Sequence, residues 1–370
     1  MSTCGADHSV PRKRMAGRIA RTMNDTDLRQ QVASVTEPHL GRTLGDLNMV
    51  SDVAVVGEQP RVTITLPVTA YPGLERLEGL VREAIGGDAD VVFERAVRGS
   101  NSGGKIGLRI ANVICVGSGK GGVGKSSVAA GLAFALKASG ARVGLMDADV
   151  YGPSVPHLLG AEGEPSVIEQ IGEDGQPVQR IQPLEVDGMP LMSMGFHIEE
   201  DQAVIWRGPL LHRTLTQFLQ STDWGELDYL VIDMPPGTGD VALTLSQLLS
   251  LSGAVIVCTP QQVALLDAIK AVSMFNQVKI PILGVVENMT GEIFGRGGAR
   301  EKAAELGVPF LGELPADPEV RRRGDAGKIS TLISEDSPVR DALVSICEGV
   351  AIEVARHVCL DDQLPELEIL

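Results

Sequence analysis

A glycine-rich segment that joins an apolar run to a helix-forming run constrains the fold of this chain more than any other feature. The segment reads GSGKGGVGKSS at 117–127, and the apolar run ANVICV before it predicts a buried strand. The run KSSVAAGLAFALKASG is rich in alanine and leucine and ends at Gly140, which predicts a helix. Glycines let a backbone wrap closely around a phosphate, and N–H groups at a helix N-terminus attract anions. The sequence therefore predicts a strand–loop–helix unit that binds phosphate.

The same segment satisfies the phosphate-loop pattern G-x-x-x-x-G-K-[ST]. The alternative is a glycine-rich turn without a ligand, but the full pattern between a strand and a helix favours a nucleotide site. Lys125 is expected to reach the β- and γ-phosphates of a nucleoside triphosphate, and Ser126 to bind Mg²⁺. We expect the nucleotide to contact the whole loop, which consists of Gly117, Ser118, Gly119, Lys120, Gly121, Gly122, Val123, Gly124, Lys125, Ser126 and Ser127.

A second lysine, Lys120, lies inside the loop. One interpretation is that it contacts a nucleotide bound by a facing subunit and neutralises charge in the transition state, as an arginine finger does. The other is that it is a solvated lysine that only raises the local potential. The residues alone leave both interpretations open.

Two further apolar runs end in carboxylates, at the edge where open α/β sheets bind their ligands. After RVGLM, one of Asp147 and Asp149 is expected to hold or orient the attacking water, and the other to support Mg²⁺ through water. Alternatively, Asp147 caps the segment that follows it. After LDYLVI, Asp233 is the candidate carboxylate beside Mg²⁺.

Asp240 and Asn288, which lie near such runs, each have two interpretations. The run PPGTG at 235–239 cannot form a helix or a central strand, which predicts a second switch loop. Asp240 after it either caps the next helix, which we favour, or reaches the site. Asn288 ends the apolar part of PILGVVENM, and it either hydrogen-bonds a purine edge or forms a turn.

The chain divides into four segments by pattern. Residues 1–24 are predicted to be a disordered tail. Residues 25–98 read α-β-β-α-β, which predicts a small α+β domain. Residues 99–107 have the glycine and serine content of a flexible linker. From 108 to 370 strands and helices alternate, which predicts an α/β P-loop NTPase domain with a mainly parallel sheet and helices on both faces.

Composition narrows the partners and the location. The 370 residues carry a formal net charge of −16, which argues against a nucleic-acid surface that depends on positive charge. The sequence has no run of about eighteen apolar residues that would predict a transmembrane helix. Its N-terminus lacks the apolar run of a secretory signal. We therefore expect a cytoplasmic protein with no membrane or nucleic-acid partner.

The second unit resembles the Mrp/ApbC-type iron–sulfur carriers. The resemblance depends on the segments GSGKGGVGKSSVA, DADVYGPSVPHLLG, WRGPLL, WGELDYLVIDMPPGTGD, TPQQVALLDAIKAVSMF and PILGVVENM. The loop KGGVGKS resembles the deviant phosphate loop of the wider class that contains MinD, ParA and the nitrogenase iron protein. The first unit is similar, through TEPHLGRTLGDLNMV, to the small iron–sulfur-assembly domain often fused in front of such carriers.

This resemblance implies an ATPase that works as a homodimer, holds a four-iron four-sulfur cluster and passes it to apo client proteins. It implies that Lys120 contacts nucleotide across the dimer, and that Asp149 belongs to a first switch segment and positions water. An alternative is an ATPase switch or scaffold of the same fold that has lost cluster binding. Membrane positioning of the MinD kind is disfavoured by the acidic end DDQLPELEIL.

The cysteines depart from the family pattern for a cluster, whose usual ligands are thiolates. The family supplies a C-x-x-C soon after the ENM segment, where this chain reads ENMTGEIFGRGG. Cys115 and Cys258 are expected in buried strands, and Cys4 in the tail. Any cluster would then take ligands from Cys347 or Cys359 across a dimer, or from a partner protein.

Overall fold

The computed structural model covers most of both predicted units. It describes residues 25–56, 59–95, 108–171, 176–197, 208–237 and 239–361. The predicted tail at 1–24 and the predicted linker at 99–107 lie outside the described residues, as does Thr238 of the predicted second switch.

The small unit is a three-stranded sheet with two helices. Its elements follow the predicted order, and they are α1 (Asp25–Ala33), β1 (Val50–Val56), β2 (Gln59–Leu66), α2 (Leu74–Ala84) and β3 (Asp90–Arg95). β2 pairs antiparallel with β1 and parallel with β3. α2 begins after Gly73, whose φ of 73° is a left-handed conformation that favours glycine, and it buries Leu77 and Val81.

The large unit contains an eight-stranded sheet. Its strands are β4 (Ile110–Gly117), β5 (Val143–Asp147), β8 (Leu184–Val186), β9 (Met189–Ser193), β10 (Leu227–Asp233), β11 (Gly253–Cys258), β12 (Ile282–Thr290) and β13 (Phe310–Pro315). Their order is β13-β12-β11-β4-β10-β5-β9-β8, and only the β8–β9 pair is antiparallel. β6 (Ser166–Ile171) and β7 (Pro177–Gln182) form a separate hairpin. The prediction of a mainly parallel sheet is confirmed.

Helices cover both faces of the large sheet. They are α3 (Lys125–Ala138), α4 (Val155–Leu159), α5 (Gly208–Ser221), α6 (Gly239–Leu248), α7 (Gln262–Gln277), α8 (Gly298–Leu306), α9 (Pro318–Asp325) and α10 (Pro338–Asp361). Alternate residues of β4 point to opposite faces, so Ile114 packs in the apolar cluster of α3 and α10, and Cys115 in that of α5, α6 and α7. None of the described helices is both long and apolar enough to cross a membrane.

The small unit packs on the α3 and α10 side of the large unit. Its core residues join the apolar cluster that contains α3 and α10. The hydroxyl of Tyr229, near the start of β10, donates a hydrogen bond of 2.5 Å to the Thr69 carbonyl oxygen. Arg95 donates to the carbonyl oxygen of Gly140, just after α3. These contacts lie at the ends of β10 and α3 that are remote from the phosphate loop.

Candidate functional site

The phosphate loop lies at the carboxyl end of a central strand, between β4 and α3. Gly122 and Gly124 adopt φ values of 77° and 78°, which favour glycine. A Cβ atom at Gly119 would lie 1.9 Å from the carbonyl oxygen of Asp267 in α7, so only glycine fits there. The strand–loop–helix unit predicted from the sequence is therefore present, and its backbone requires glycine at the first fixed position of the motif.

Lys125 is buried among carboxylates at the base of this loop. Its side chain is 6% exposed, and its Nζ donates to Asp233 Oδ1 at 2.6 Å and lies 3.6 Å from Asp149 Oδ2. Nζ is also 3.3 Å from the Ser126 hydroxyl oxygen. The structure therefore brings together four residues that the sequence analysis had selected from three separate segments.

One carboxylate oxygen of Asp233 accepts a hydrogen bond from Lys125, and the other has no hydrogen-bond partner among the described residues. The residue is 0% exposed, and Oδ2 accepts no hydrogen bond from the described residues. Burial raises the pKa of Asp233, and the positive charge of Lys125 opposes that rise. A buried, unpartnered carboxylate oxygen beside Ser126 fits a hard cation such as Mg²⁺.

Asp149 is oriented by its own loop. Its Oδ1 accepts hydrogen bonds from the N–H groups of Tyr151 and Gly152, both at 3.2 Å. This arrangement leaves Oδ2 on the side of Lys125. The carboxylate is thus fixed toward the phosphate loop, and its role in positioning water stays a prediction.

Asp147 acts as a structural acceptor in this structure. Oδ1 accepts from the N–H of Asp149 at 3.0 Å, and Oδ2 accepts from the N–H of Val155 at 3.2 Å and the Ser193 hydroxyl at 3.1 Å. Val155 is the first residue of α4, so the capping alternative describes what is observed. Burial, with the nearby charge of Asp233, raises the pKa of Asp147 to about 7. Its predicted Mg²⁺ role stays a prediction.

Asn288 holds the phosphate loop from the neighbouring part of the sheet. It lies inside β12, and its Nδ2 donates to the Val123 carbonyl oxygen at 2.8 Å. A Cβ atom at Gly124 would lie 2.3 Å from that nitrogen. The turn-forming alternative is therefore wrong, and the contact with a purine stays a prediction.

The predicted second switch contacts the phosphate loop through its backbone. The N–H of Gly237 donates to the Ser118 carbonyl oxygen at 3.0 Å. α6 begins at Gly239, so Asp240 is an exposed residue inside the first helical turn, and its predicted capping position is wrong by about one residue. A carboxylate in a first turn still stabilises a helix through the dipole.

The cysteines that the structure describes do not form a cluster site. Burial raises the pKa of Cys115, Cys258 and Cys347 to about 12. Cys347 is 2% exposed inside α10, so the expectation that it supplies a ligand across a dimer is wrong. Cys359 is half-buried near the end of α10. Among the described residues, no group of three or more His, Cys, Asp or Glu side chains is placed to hold a metal ion.

The segment ENMTGEIFGRGG, where the resemblance predicts a C-x-x-C, contains a short closed loop. Gly291 and Gly295 exchange backbone hydrogen bonds of 2.9 and 2.8 Å. The fully buried Glu287 accepts from the N–H groups of Gly297 and Ala299, which ties this loop to α8. Neither Glu287 nor Ser193 could be identified from the sequence. Ser193 binds Asp147, which lies 46 positions away, and Glu287 binds backbone N–H groups that belong to no motif.

Two protein-family models match separate parts of the chain. A family model described as a NUBPL iron-transfer P-loop NTPase matches residues 109–351, and one described as an iron–sulfur cluster assembly protein matches residues 25–92. The iron–sulfur cluster carrier protein of Deinococcus radiodurans is 42% identical over 362 residues, which cover 93% of this chain and 100% of that protein. The iron–sulfur cluster carrier protein of Escherichia coli K12 is 37% identical, over 87% of this chain and 90% of that protein.

Two solved structures are similar to a large part of this chain. A nucleotide-binding protein from Archaeoglobus fulgidus in complex with ADP is 36% identical, with a TM-score of 0.52 over 63% of this chain and 91% of that one. The cell division ATPase MinD of Pyrococcus furiosus is 25% identical, with a TM-score of 0.50 over 65% of this chain and 98% of that one. The chain therefore belongs to the family of iron-transfer P-loop NTPases, whose curated relatives are named iron–sulfur cluster carrier proteins.

Proposed function

We propose that this protein binds and hydrolyses ATP with Mg²⁺ and works as a cytoplasmic homodimer that carries iron–sulfur clusters to apo client proteins. The observation that carries the proposal is the convergence of Lys125, Ser126, Asp149 and Asp233 on one phosphate loop in a member of an iron-transfer family. The geometry supports the nucleotide chemistry, and the family supports the cluster as cargo.

When ATP binds, its phosphate oxygens replace carboxylate oxygens as partners of Lys125. Lys125 now pairs with two carboxylates, and the β- and γ-phosphates offer a stronger set of charged acceptors at the loop. The loop N–H groups and the N-terminus of α3 add donors for the phosphates. Ser126 and the unpartnered Oδ2 of Asp233 would hold Mg²⁺, which when bound neutralises phosphate charge.

Asp149 is the residue that we assign to the attacking water. Its Oδ1 is fixed by two backbone N–H groups, so its Oδ2 presents one acceptor in a defined direction. An acceptor held in place can orient a water for in-line attack at the γ-phosphate. The side chain is only 9% exposed, which limits competing bulk water.

Replacement of Asp149 by asparagine tests this assignment. Asp149→Asn keeps the size of the side chain and removes its charge, so we expect the kcat of ATP hydrolysis to fall about 100-fold or more while the Kd for ATP changes little. Steady-state phosphate release and calorimetric ATP titration measure the two quantities. Asp240→Asn is the matched control, because Asp240 is an exposed carboxylate in α6, and it should hydrolyse ATP at the wild-type rate. Full turnover by Asp149→Asn would move the water-positioning role to another residue.

Several exposed apolar side chains support a homodimer at the nucleotide edge. Tyr151, Val263, Leu266 and Ile293 are 60–86% exposed. Each follows a strand at its carboxyl end, so all four lie at the sheet edge that carries the phosphate loop. Exposed large apolar side chains at one edge are typical of an interaction surface. Lys120 lies half-buried at the same edge, where a facing subunit would bring it to the second nucleotide.

Two functions remain for the dimer, and they differ in the cargo. In the first, the dimer holds a four-iron four-sulfur cluster with ligands from Cys359, or from a protein partner. In the second, it is an ATPase switch or scaffold that has lost cluster binding. Because the closed loop at 291–295 has no cysteine, it offers no thiolate ligand for a cluster, and this favours the second function as a candidate.

Anaerobic reconstitution with iron and sulfide separates these two functions. If a four-iron cluster is shared by two copies, the desalted protein retains about two irons and two sulfides per protomer. Cys359→Ser should lower that retention, and Cys347→Ala is the matched control because its thiol is buried. No retained iron in a protein that still binds ATP would support the switch or scaffold function instead.

A further inference from the structure

The buried hydroxyl of Ser193 links the end of β9 to the segment that carries Asp149. Ser193 is 0% exposed, and its hydroxyl donates to Asp147 Oδ2 at 3.1 Å and accepts from the N–H of Gly195 at 3.0 Å. We name residues 147–155 the first switch. Ser193 thus contacts the first switch at its first residue, although the two lie 46 positions apart.

A second contact joins the same two regions. A Cβ atom at Gly195 would lie 3.0 Å from both Cβ and Cγ of Pro153, so the backbone of the turn at 193–195 packs directly against the first switch. The turn therefore touches the first switch at both Asp147 and Pro153. One contact is a hydrogen bond to a buried carboxylate, and the other is close packing.

Asp147 connects Ser193 to Asp149, the residue that faces Lys125. The carboxylate of Asp147 accepts from Ser193, from the N–H of Asp149 and from the N–H of Val155. It thereby closes the loop between 149 and 155. Asp149 in turn points its Oδ2 toward Lys125 at 3.6 Å. Loss of the Ser193 hydroxyl removes one of the two donors to Asp147 Oδ2, and because Asp147 is 0% exposed, the loss of a hydrogen bond to its carboxylate is costly.

We propose that Ser193 is a positioning residue for ATP hydrolysis, which holds the first switch through Asp147 so that Asp149 faces the γ-phosphate. This inference rests on the proposed ATPase function. It also assigns a role to the turn at 193–195, at the end of β9. Displacement of that turn changes the orientation of Asp149, without any contact between Ser193 and the nucleotide.

Ser193→Ala tests the proposal by two independent measurements. We expect kcat for ATP hydrolysis to fall about 10-fold with KM nearly unchanged, because the nucleotide still binds but the attacking water is poorly oriented. Hydrogen exchange of peptides that cover 147–159 should become about 10-fold faster, and the other peptides should keep their rates. Ser193→Thr keeps the hydroxyl and should restore both quantities toward wild type.

The control is Ser252→Ala. The Ser252 hydroxyl accepts from the N–H of Val113 and lies 3.4 Å from the Asn112 side-chain oxygen at the opposite end of the sheet, so its loss should leave the first switch unchanged. Wild-type exchange and kcat in Ser193→Ala would overturn the proposal. Faster exchange spread over the whole chain, with no recovery in Ser193→Thr, would overturn it as well, because it would show a packing role only. If the wild-type protein hydrolysed no ATP, the proposed function would fail while the exchange data still decided the link between Ser193 and the first switch.

Discussion

Lys125→Ala is expected to weaken ATP binding by at least about 100-fold, since a hydrogen bond to a charged group contributes roughly 1.5–3 kcal/mol and Lys125 makes more than one with the phosphates. The side chain is buried at the base of the loop, where bulk water screens its charge little. Calorimetric titration with ATP and Mg²⁺ measures the effect. Retained affinity would contradict the phosphate-loop assignment.

The same change removes the cation between Asp149 and Asp233, so stability must be measured beside affinity. Lys125 lowers the pKa of Asp233, and without it that pKa rises further. An unpaired buried charge is destabilising, so the melting temperature should fall. If Lys125→Ala does not fold, ATP binding is measured on Lys125→Arg, which keeps the positive charge. Lys137→Ala, in the last turn of the same helix, is the matched control and should bind ATP as the wild type does.

Local sequence signals were sufficient for the strand–loop–helix unit and for the sheet class. The loop at 117–127 needs only its own glycines, a preceding apolar run and a following helix former, and all three are contiguous in the chain. The carboxylates Asp149 and Asp233 could be selected because parallel strands bring their carboxyl ends to one edge. Their distances to Lys125 then follow from the order of β4, β5 and β10 in the sheet.

Contacts between distant residues could not be predicted in this way. The bond from Asn288 to Val123 joins positions 165 apart, and that from Tyr229 to Thr69 joins positions 160 apart. Asp147 had two interpretations because nothing in its own segment reveals Ser193 as a donor. The burial of Cys347 could not be predicted because it depends on how α10 packs against α3 and β13. A pattern defines which residues are polar or apolar, and the packing of remote elements decides what each one contacts.

Lys120→Ala is expected to leave the Kd for ATP within about threefold and to lower kcat about 1000-fold, the lower end of the effect of an arginine finger supplied in trans, roughly 10³–10⁵-fold. Lys120 lies in the outer part of the loop, and its carbonyl oxygen accepts from the Ser118 hydroxyl at 2.9 Å, so its backbone position does not depend on its side chain. Lys328→Ala, which changes an exposed lysine outside the loop, is the control. Unchanged hydrolysis in Lys120→Ala would leave Lys120 as a solvated lysine.

Mixing two inactive variants decides whether Lys120 acts on its own nucleotide or on that of the second copy. A Lys120→Ala subunit keeps its own Asp149, and an Asp149→Asn subunit keeps its own Lys120. If Lys120 acts across the dimer, one site in each mixed dimer is complete, and a 1:1 mixture should regain about a quarter of the wild-type rate in a symmetric two-subunit assembly. If Lys120 acts within its own subunit, no site is complete and the mixture stays inactive. Recovery that disappears when the exposed Leu266 is changed to aspartate would further identify the nucleotide edge as the dimer surface, because a charge there opposes burial against a second copy.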